Sequence, residues 1–212
     1  MPDLTTVIDH LTGVVSDHDD GHSRLLIAIA GPPGAGKSTV ADALTQKLNQ
    51  LISDRPAEAV PMDGFHYDNR ILDERGWRDR KGAPETFDVG GFLALLQRLK
   101  NGQEDIAIPV FDRSADLARG SARIIRGHQR LLIVEGNYLL LDRPQWRELF
   151  PLFNLSIFLE PPIEIIEQRL IQRWLDYGFD RQAAEVRARG NDLANAKIIL
   201  TESRPANIVV QD

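Results

Sequence analysis

Short apolar runs alternate along this chain with longer amphipathic stretches. The runs RLLIAIA (24–30), LLIVEG (131–136), LSIFLE (155–160) and NIVVQ (207–211) lack the polar residue at every second place that marks a half-exposed strand. They predict strands buried on both faces of a parallel sheet. Between them the period becomes helical: Leu93, Leu96 and Leu99 follow Asp88, and Ile163, Ile166, Leu170 and Trp174 follow Pro161–Pro162. This alternation predicts a three-layer α/β fold, with helices on both faces of a parallel sheet. Ligands of such sheets collect at the carboxyl ends of the strands. Asp63 and Glu135 both stand where an apolar run gives out, so both are expected to face that crevice.

Composition narrows the function classes. The chain has 212 residues, enough for one domain with a full core, and neither repeats nor a low-complexity linker divides it. A single domain over 1–212 is therefore expected. A net charge of −6 argues against broad nucleic-acid binding. The absence of cysteine excludes disulfides and thiolate metal sites and suits a reducing, cytoplasmic setting. No apolar run approaches the roughly 20 residues needed to span a bilayer, and the first 20 residues are acidic where a signal peptide would be basic. The expected partner is a small molecule, not a membrane or a nucleic acid, and the chain is expected to be a monomer or homodimer.

The chemistry begins with GPPGAGKST, which is Gly31, Pro32, Pro33, Gly34, Ala35, Gly36, Lys37, Ser38 and Thr39. Every fixed position of G-x-x-x-x-G-K-[ST] is filled, between a strand run and the helical STVADALTQKLNQ. Glycines there let backbone N–H groups turn onto phosphate oxygens, and the following helix presents its positive end to the same anion. Lys37 would lie against the β- and γ-phosphates of ATP, and the Ser38 hydroxyl would bind Mg²⁺. The N-K-x-D signature of guanine-specific GTPases is absent, and LLIVEG ends in a single Glu where an ATPase strand would end in Asp-Glu. A small-molecule kinase is the class that remains.

Six segments in order, GPPGAGKST, MDGFHYD, KGAPETFD, IPVFDR, LLIVEGNYLLL and EQRLIQRW, give the chain a resemblance to the phosphoribulokinase/uridine kinase family. The resemblance covers residues 20–205 and is closest to the pantothenate-kinase-like branch, some of whose members are labelled fructokinases. It implies a nucleoside-kinase-like P-loop fold with a five-stranded parallel sheet and a mobile helical lid. It implies that Asp63 points at the γ-phosphate and accepts the proton of the attacking hydroxyl, and that Glu135 holds Mg²⁺ beside Ser38. A loose transition state allows an ordinary carboxylate in the first role. By local sequence alone, Asp63 reads equally as a turn residue before Gly64.

Further site residues are expected with competing structural readings. His66 and Tyr67 after the Asp63 turn either line the acceptor pocket or pack. The resemblance implies that Glu85 or Asp88 points toward acceptor hydroxyls, whereas the local reading of Asp88 is the N-cap of the next helix. Asp112 and Arg113 line the pocket or form a surface ion pair. Arg169 and Arg173, four apart on one helix flank, either face solvent or serve a lid over approximately 173–190 that closes on the migrating phosphoryl group. Asn191, Asp192 and Asn195 read as a capping cluster for the last helix or as lid contacts, the cap being the preferred reading. A pocket of Asp63, Glu85, Asp88, Asp112, Arg113 and residues 65–67 would be rich in carboxylates. Such a lining favours a neutral sugar such as fructose over pantothenate, with a nucleoside third. A regulatory nucleotide-binding protein without turnover is the alternative of another class; it would need no base at Asp63.

Overall fold

The structure is a computed structural model that describes residues 23–51, 56–102 and 104–211, with the isolated positions 7, 10, 13 and 14. Apart from those four positions, the acidic N-terminal stretch lies outside the described residues. The chain runs through β1 (Leu25–Ala30), α1 (Lys37–Leu51), β2 (Ala57–Pro61), α2 (Asn69–Glu74), α3 (Val89–Asn101), β3 (Ile106–Asp112) and β4 (Leu117–Ile125). It continues through β5 (Leu131–Gly136), β6 (Leu155–Leu159), α4 (Ile163–Asp176), α5 (Arg181–Arg187), α6 (Leu193–Glu202) and β7 (Ile208–Val210). Five strands form a parallel sheet in the order β2-β5-β1-β6-β7, and β3 and β4 form a separate antiparallel hairpin. This is the three-layer α/β arrangement that the alternating runs predict, with a five-stranded parallel sheet.

Alternation along β1 explains the layers. Leu26, Ala28 and Ala30 join Phe92, Leu96, Leu99 and Tyr138 in the core on one face of the sheet. Leu25, Ile27 and Ile29 join Val40, Ala41, Leu44 and Leu48 of α1 on the other. Every residue of β1 is buried, which is why the run carries no polar position. The four runs read from the sequence are all strands. β2, with Glu58 and Pro61 among its five residues, is too short and too polar to announce itself. The β3–β4 hairpin also escapes the apolar-run criterion, because much of β4 is exposed and Pro109 sits where the ladder shifts register.

At the amino edge of the sheet, Arg24 is buried to 1% exposure. Its guanidinium donates to four carbonyls: Arg126 O at 2.8 Å, Gln129 O at 3.0 Å, Glu104 O at 3.1 Å and Leu99 O at 3.3 Å. One side chain thereby ties the end of α3 and the segments before β3 and β5 to the start of β1. Burial lowers its pKa from the ordinary arginine value. Replacing Arg24 with Met keeps the bulk but orphans the buried carbonyls. Arg24→Met should therefore lower stability by about 3 kcal/mol or more, measurable as a fall in the urea midpoint without a change in slope.

Candidate active site

Strand register assembles the site. Across the three adjacent strands, Ile29 of β1 stands level with Glu135 of β5, and Glu135 with Pro61 of β2. The Gly31–Thr39 loop leaves β1, Glu135 is the penultimate residue of β5, and Asp63 lies two residues beyond β2 on a 3-10 turn. Three segments far apart in sequence thus open onto one edge. Gly34 and Gly36 take φ of +82° and +87°, which only glycine adopts freely, as the loop wraps round. Lys37 folds back so that Nζ donates to Pro32 O at 2.9 Å.

The charges at this edge are buried together. Lys37 and Glu135 are each 8% exposed. Burial pulls the Lys37 ammonium down to a pKa of about 8, against the upward pull of Glu135 and Asp63. Burial, then the charge of Asp63, pushes the Glu135 carboxyl upward; Lys37, Arg113 and a hydrogen bond from Ser38 oppose this. A buried cluster of this kind awaits compensating charge: anionic oxygen for Lys37, and a cation for the facing carboxylates.

Asp63 accepts a hydrogen bond from Arg113 Nη2 at 2.9 Å, and Arg113 also bonds the side chain of Tyr177. Gly64 clears space for the β3–β4 hairpin, since a Cβ there would lie 2.5 Å from Pro109 O. His66 packs between Phe87 and Phe111, with ring centroids 4.1 and 4.6 Å away. Its Nδ1 lies 2.8 Å from the Asp63 carbonyl, which can only accept, so Nδ1 carries the hydrogen and Nε2 is left as an acceptor. Burial lowers the His66 pKa and keeps the ring neutral.

Two joined cavities open on this edge. One of about 160 Å³ is lined by Pro33, Gly34, Gly36, Lys37, Ser38 and Thr39 with Glu135. The other, of about 730 Å³, is lined by His66, Lys81, Phe111, Asp116, Trp174, Tyr177 and Asn195 among others. Asp63, Arg113, Asn137, Arg173 and Pro33 line both. A third, of about 190 Å³, reaches Asp63, Arg113, Ser38 and Glu135 from the side of Asp42 and Arg123.

Residues 26–196 match the sequence pattern of the Phosphoribulokinase / Uridine kinase family. The chain belongs to this family. It is similar to the crystal structure of a provisionally named fructose transport system kinase from Silicibacter sp. TM1040, with 47% identity and a TM-score of 0.89 over 95% of this chain and 97% of that one. It is 39% identical to the uncharacterized protein YggC of Escherichia coli over 89% of this chain and 78% of that protein. It is 31% identical to a provisionally named uridine kinase of Schizosaccharomyces pombe over 89% of this chain and 83% of that protein. The chain is accordingly a small-molecule kinase of the phosphoribulokinase/uridine kinase family, a family that implies ATP as phosphoryl donor. Among the described residues no helix is long and apolar enough to cross a membrane.

Within this family kinase, some residues expected at the acceptor lie elsewhere. Tyr67, Glu85, Asp88 and Asp112 line none of the three cavities. Tyr67 lies under the Arg75 guanidinium, and Glu85 pairs with Arg80. Asp88 caps α3 by accepting from Gly91 N–H at 2.9 Å, the local reading of its position before a helix. Asp112 closes its own turn, accepting from the Ser114 hydroxyl at 2.6 Å. Ala35 is core rather than cavity lining, and Pro32 contributes its carbonyl to Lys37.

The large cavity also departs from the carboxylate-rich pocket expected. Arg78, Lys81, Arg113, Arg173 and Arg187 meet Asp63, Asp79, Asp116 and Asp192 there. Lys81 pairs with Asp116 at 2.8 Å, Arg113 with Asp63, and Arg173 with Asp192 at 2.8 Å. The capping cluster is corrected too: the Asp192 side chain makes no cap bond to α6, Asn191 Nδ2 donates to Lys81 O at 2.9 Å, and Asn195 is buried against the cavity. Arg169 reaches toward the phosphate loop, with Nη1 3.4 Å from Gly34 O. Asn137 was missed, although its place directly after Glu135–Gly136 at a strand end was a usable signal. Lys81 and Asp116 gave none, being 35 residues apart with no shared pattern.

The His66 geometry makes a direct prediction. Nitrogen-detected NMR should show the Nδ1–H tautomer, with a titration midpoint below the ordinary histidine value of about 6.5. A ring that titrates at or above that value would contradict the burial described.

Proposed function

We propose that the protein transfers the γ-phosphoryl group of ATP to a hydroxyl of a neutral, polyhydroxylated small molecule, a sugar such as fructose. The observation that carries the reading is the continuity of the loop cavity with the large cavity through Asp63, Arg113, Asn137 and Arg173. A phosphate donor in the first and a hydroxyl in the second would meet at the Asp63 carboxylate. The proton of the hydroxyl passes to Asp63 as the new O–P bond forms and the bond to the bridging β–γ oxygen breaks. Lys37 and the lid arginines Arg173 and Arg169 supply positive charge to the transferring group. The exposed Ser38 hydroxyl donates a hydrogen bond to the buried Glu135 carboxylate, and these two oxygen ligands fit a hard divalent cation such as Mg²⁺. When bound, that ion would neutralise phosphate charge and relieve the repulsion between Glu135 and Asp63.

Asp63 is paired with Arg113 before any hydroxyl arrives. Arg113 is 56% exposed in that pair, and such ion pairs are worth about 1 kcal/mol or less. An arriving hydroxyl can therefore displace it. The neutral acceptor is supported by the charge balance of the large cavity, where three cations are each matched to a carboxylate. Of the other two, Arg78 pairs with Asp73 at 3.1 Å, and Arg187 lies over the rings of Phe179 at 4.5 Å and Trp174 at 5.1 Å. This support differs from the acidic lining expected at first, and the Silicibacter neighbour's name agrees with it. The segment from Arg173 to Gly190, which includes the half-exposed Tyr177 and the exposed Val186 at the cavity wall, is proposed as the lid within one kinase domain.

Lys37→Ala should weaken Mg·ATP binding at least tenfold with the fold intact. In the wild type, phosphate should raise the pKa of Lys37 from about 8, so binding takes up a proton near pH 8.5 and affinity falls as pH rises further. Calorimetry in buffers of different ionisation enthalpy reads that proton, and its absence would remove Lys37 from the phosphate.

Asp63→Asn should cut transfer to fructose by about 10²-fold or more while ATP still binds. Equal loss of ATP binding would make Asp63 a metal ligand instead. Product formation with pantothenate or uridine and with no sugar would replace the proposed acceptor, and turnover with none of them would favour the regulatory alternative.

A further inference from the structure

Arg173 begins the proposed lid and Asp192 lies two residues past its end, 19 residues on, and one carboxylate oxygen fastens them. Asp192 Oδ2 accepts from Arg173 Nη2 at 2.8 Å and from the Trp174 indole Nε1 at 2.7 Å. Its side chain is only 15% exposed, so this is an interior contact. Backbone geometry delivers the carboxylate there. After α5 the chain widens into a π-type turn over Ala188–Asp192, with Gly190 at ψ −107° breaking the helix. Such turns put a side chain where a regular helix would not. The helix-cap role open to Asp192 from sequence is not taken up.

Arg173 is left with a specific deficit. Its Nε–H is buried and has no hydrogen-bond partner, although the residue lines both the loop cavity and the large cavity. A guanidinium is planar, so holding one Nη also orients Nε. The Trp174 ring, whose own N–H is held by the same oxygen, lies 5.5 Å below the charge and restricts the plane further. A buried, unmatched cationic donor costs free energy that an anionic oxygen would recover.

We infer that Asp192 is a positioning residue that aims the free Nε–H of Arg173 at the γ-phosphate of ATP, so that the closed lid distinguishes ATP from ADP. This rests on the reading of Gly31–Thr39 as the ATP site. Asp192 lines the large cavity but not the loop cavity. It acts by limiting Arg173 to one orientation before the phosphate arrives.

The test is calorimetric titration of the full chain with Mg·ATP and with Mg·ADP. The wild type should prefer ATP at least fivefold. Asp192→Ala should remove that preference while ADP affinity stays within twofold, a pattern that general loosening of the fold would not produce. Asp192→Asn, which keeps an oxygen acceptor without the charge, should retain part of it and serves if the alanine variant fails to fold. Arg173→Ala should abolish the preference alone, and adding Asp192→Ala to it should change nothing more. Preserved preference in both Asp192 variants, equal weakening of both nucleotides, or additive effects in the double variant would each overturn the inference. A wild type that binds ATP and ADP equally would overturn it while leaving the phosphate loop reading intact. Binding of neither nucleotide would remove that reading, and the inference with it.

Discussion

Parallel register between β2, β5 and β1 is the constraint on which the rest depends. Because Pro61, Glu135 and Ile29 stand level, the three chain segments that follow them leave the sheet at one height and on neighbouring strands. A slip of one residue in any of these strands would turn its buried side chains to the opposite layer, at the expense of two cores at once. The apolar packing of both faces therefore holds Lys37, Glu135 and Asp63 in mutual electrostatic contact. Hydrophobic burial supplies the free energy that keeps these like and unlike charges together.

The chemistry of the edge follows from that proximity. Lys37 shifts down and Glu135 shifts up because neither is solvated and neither is fully compensated by the protein alone. In the large cavity the opposite solution holds. Lys81 with Asp116, Arg113 with Asp63 and Arg173 with Asp192 balance charge within the chain, although the Arg173 Nε–H keeps no partner. One half of the crevice is thus electrostatically open and the other closed. That division fits a highly charged donor on one side and an uncharged acceptor on the other.

What could be read from the sequence was whatever local pattern encodes. β1, β5, β6 and β7 declare themselves by uninterrupted apolar runs, α3 and α4 by their stripes, and the phosphate loop by glycines at fixed spacing. Asp88 was legible in its local role, since a cap depends on the next three residues only. The contents of the large cavity were not legible, because they arise from contacts over long separations: Lys81 with Asp116, Arg113 with Asp63, and Asn191 with the Lys81 carbonyl. Glu85 and Asp112 show the same limit from the other side. Their carboxylates suit a hydroxyl pocket in type, but Arg80 and the Ser114 turn engage them first. Asp192 combined both difficulties, as its position suggested a cap while an irregular turn carried its side chain to Arg173.

Arg24 precedes β1, whereas the phosphate loop follows it. Six residues of extended chain separate them, about 20 Å at the usual rise per residue. At that distance, with an effective dielectric constant of about 20, two unit charges interact by less than about 1 kcal/mol. The Arg24 charge therefore adds little to the attraction of an anion to the loop, and its whole effect is exerted on neighbouring carbonyls. The sheet thus keeps its mechanical anchor and its chemistry at opposite ends of the same strand. Evolution and protein engineering can consequently adjust heat resistance at one end and substrate choice at the other as largely independent traits.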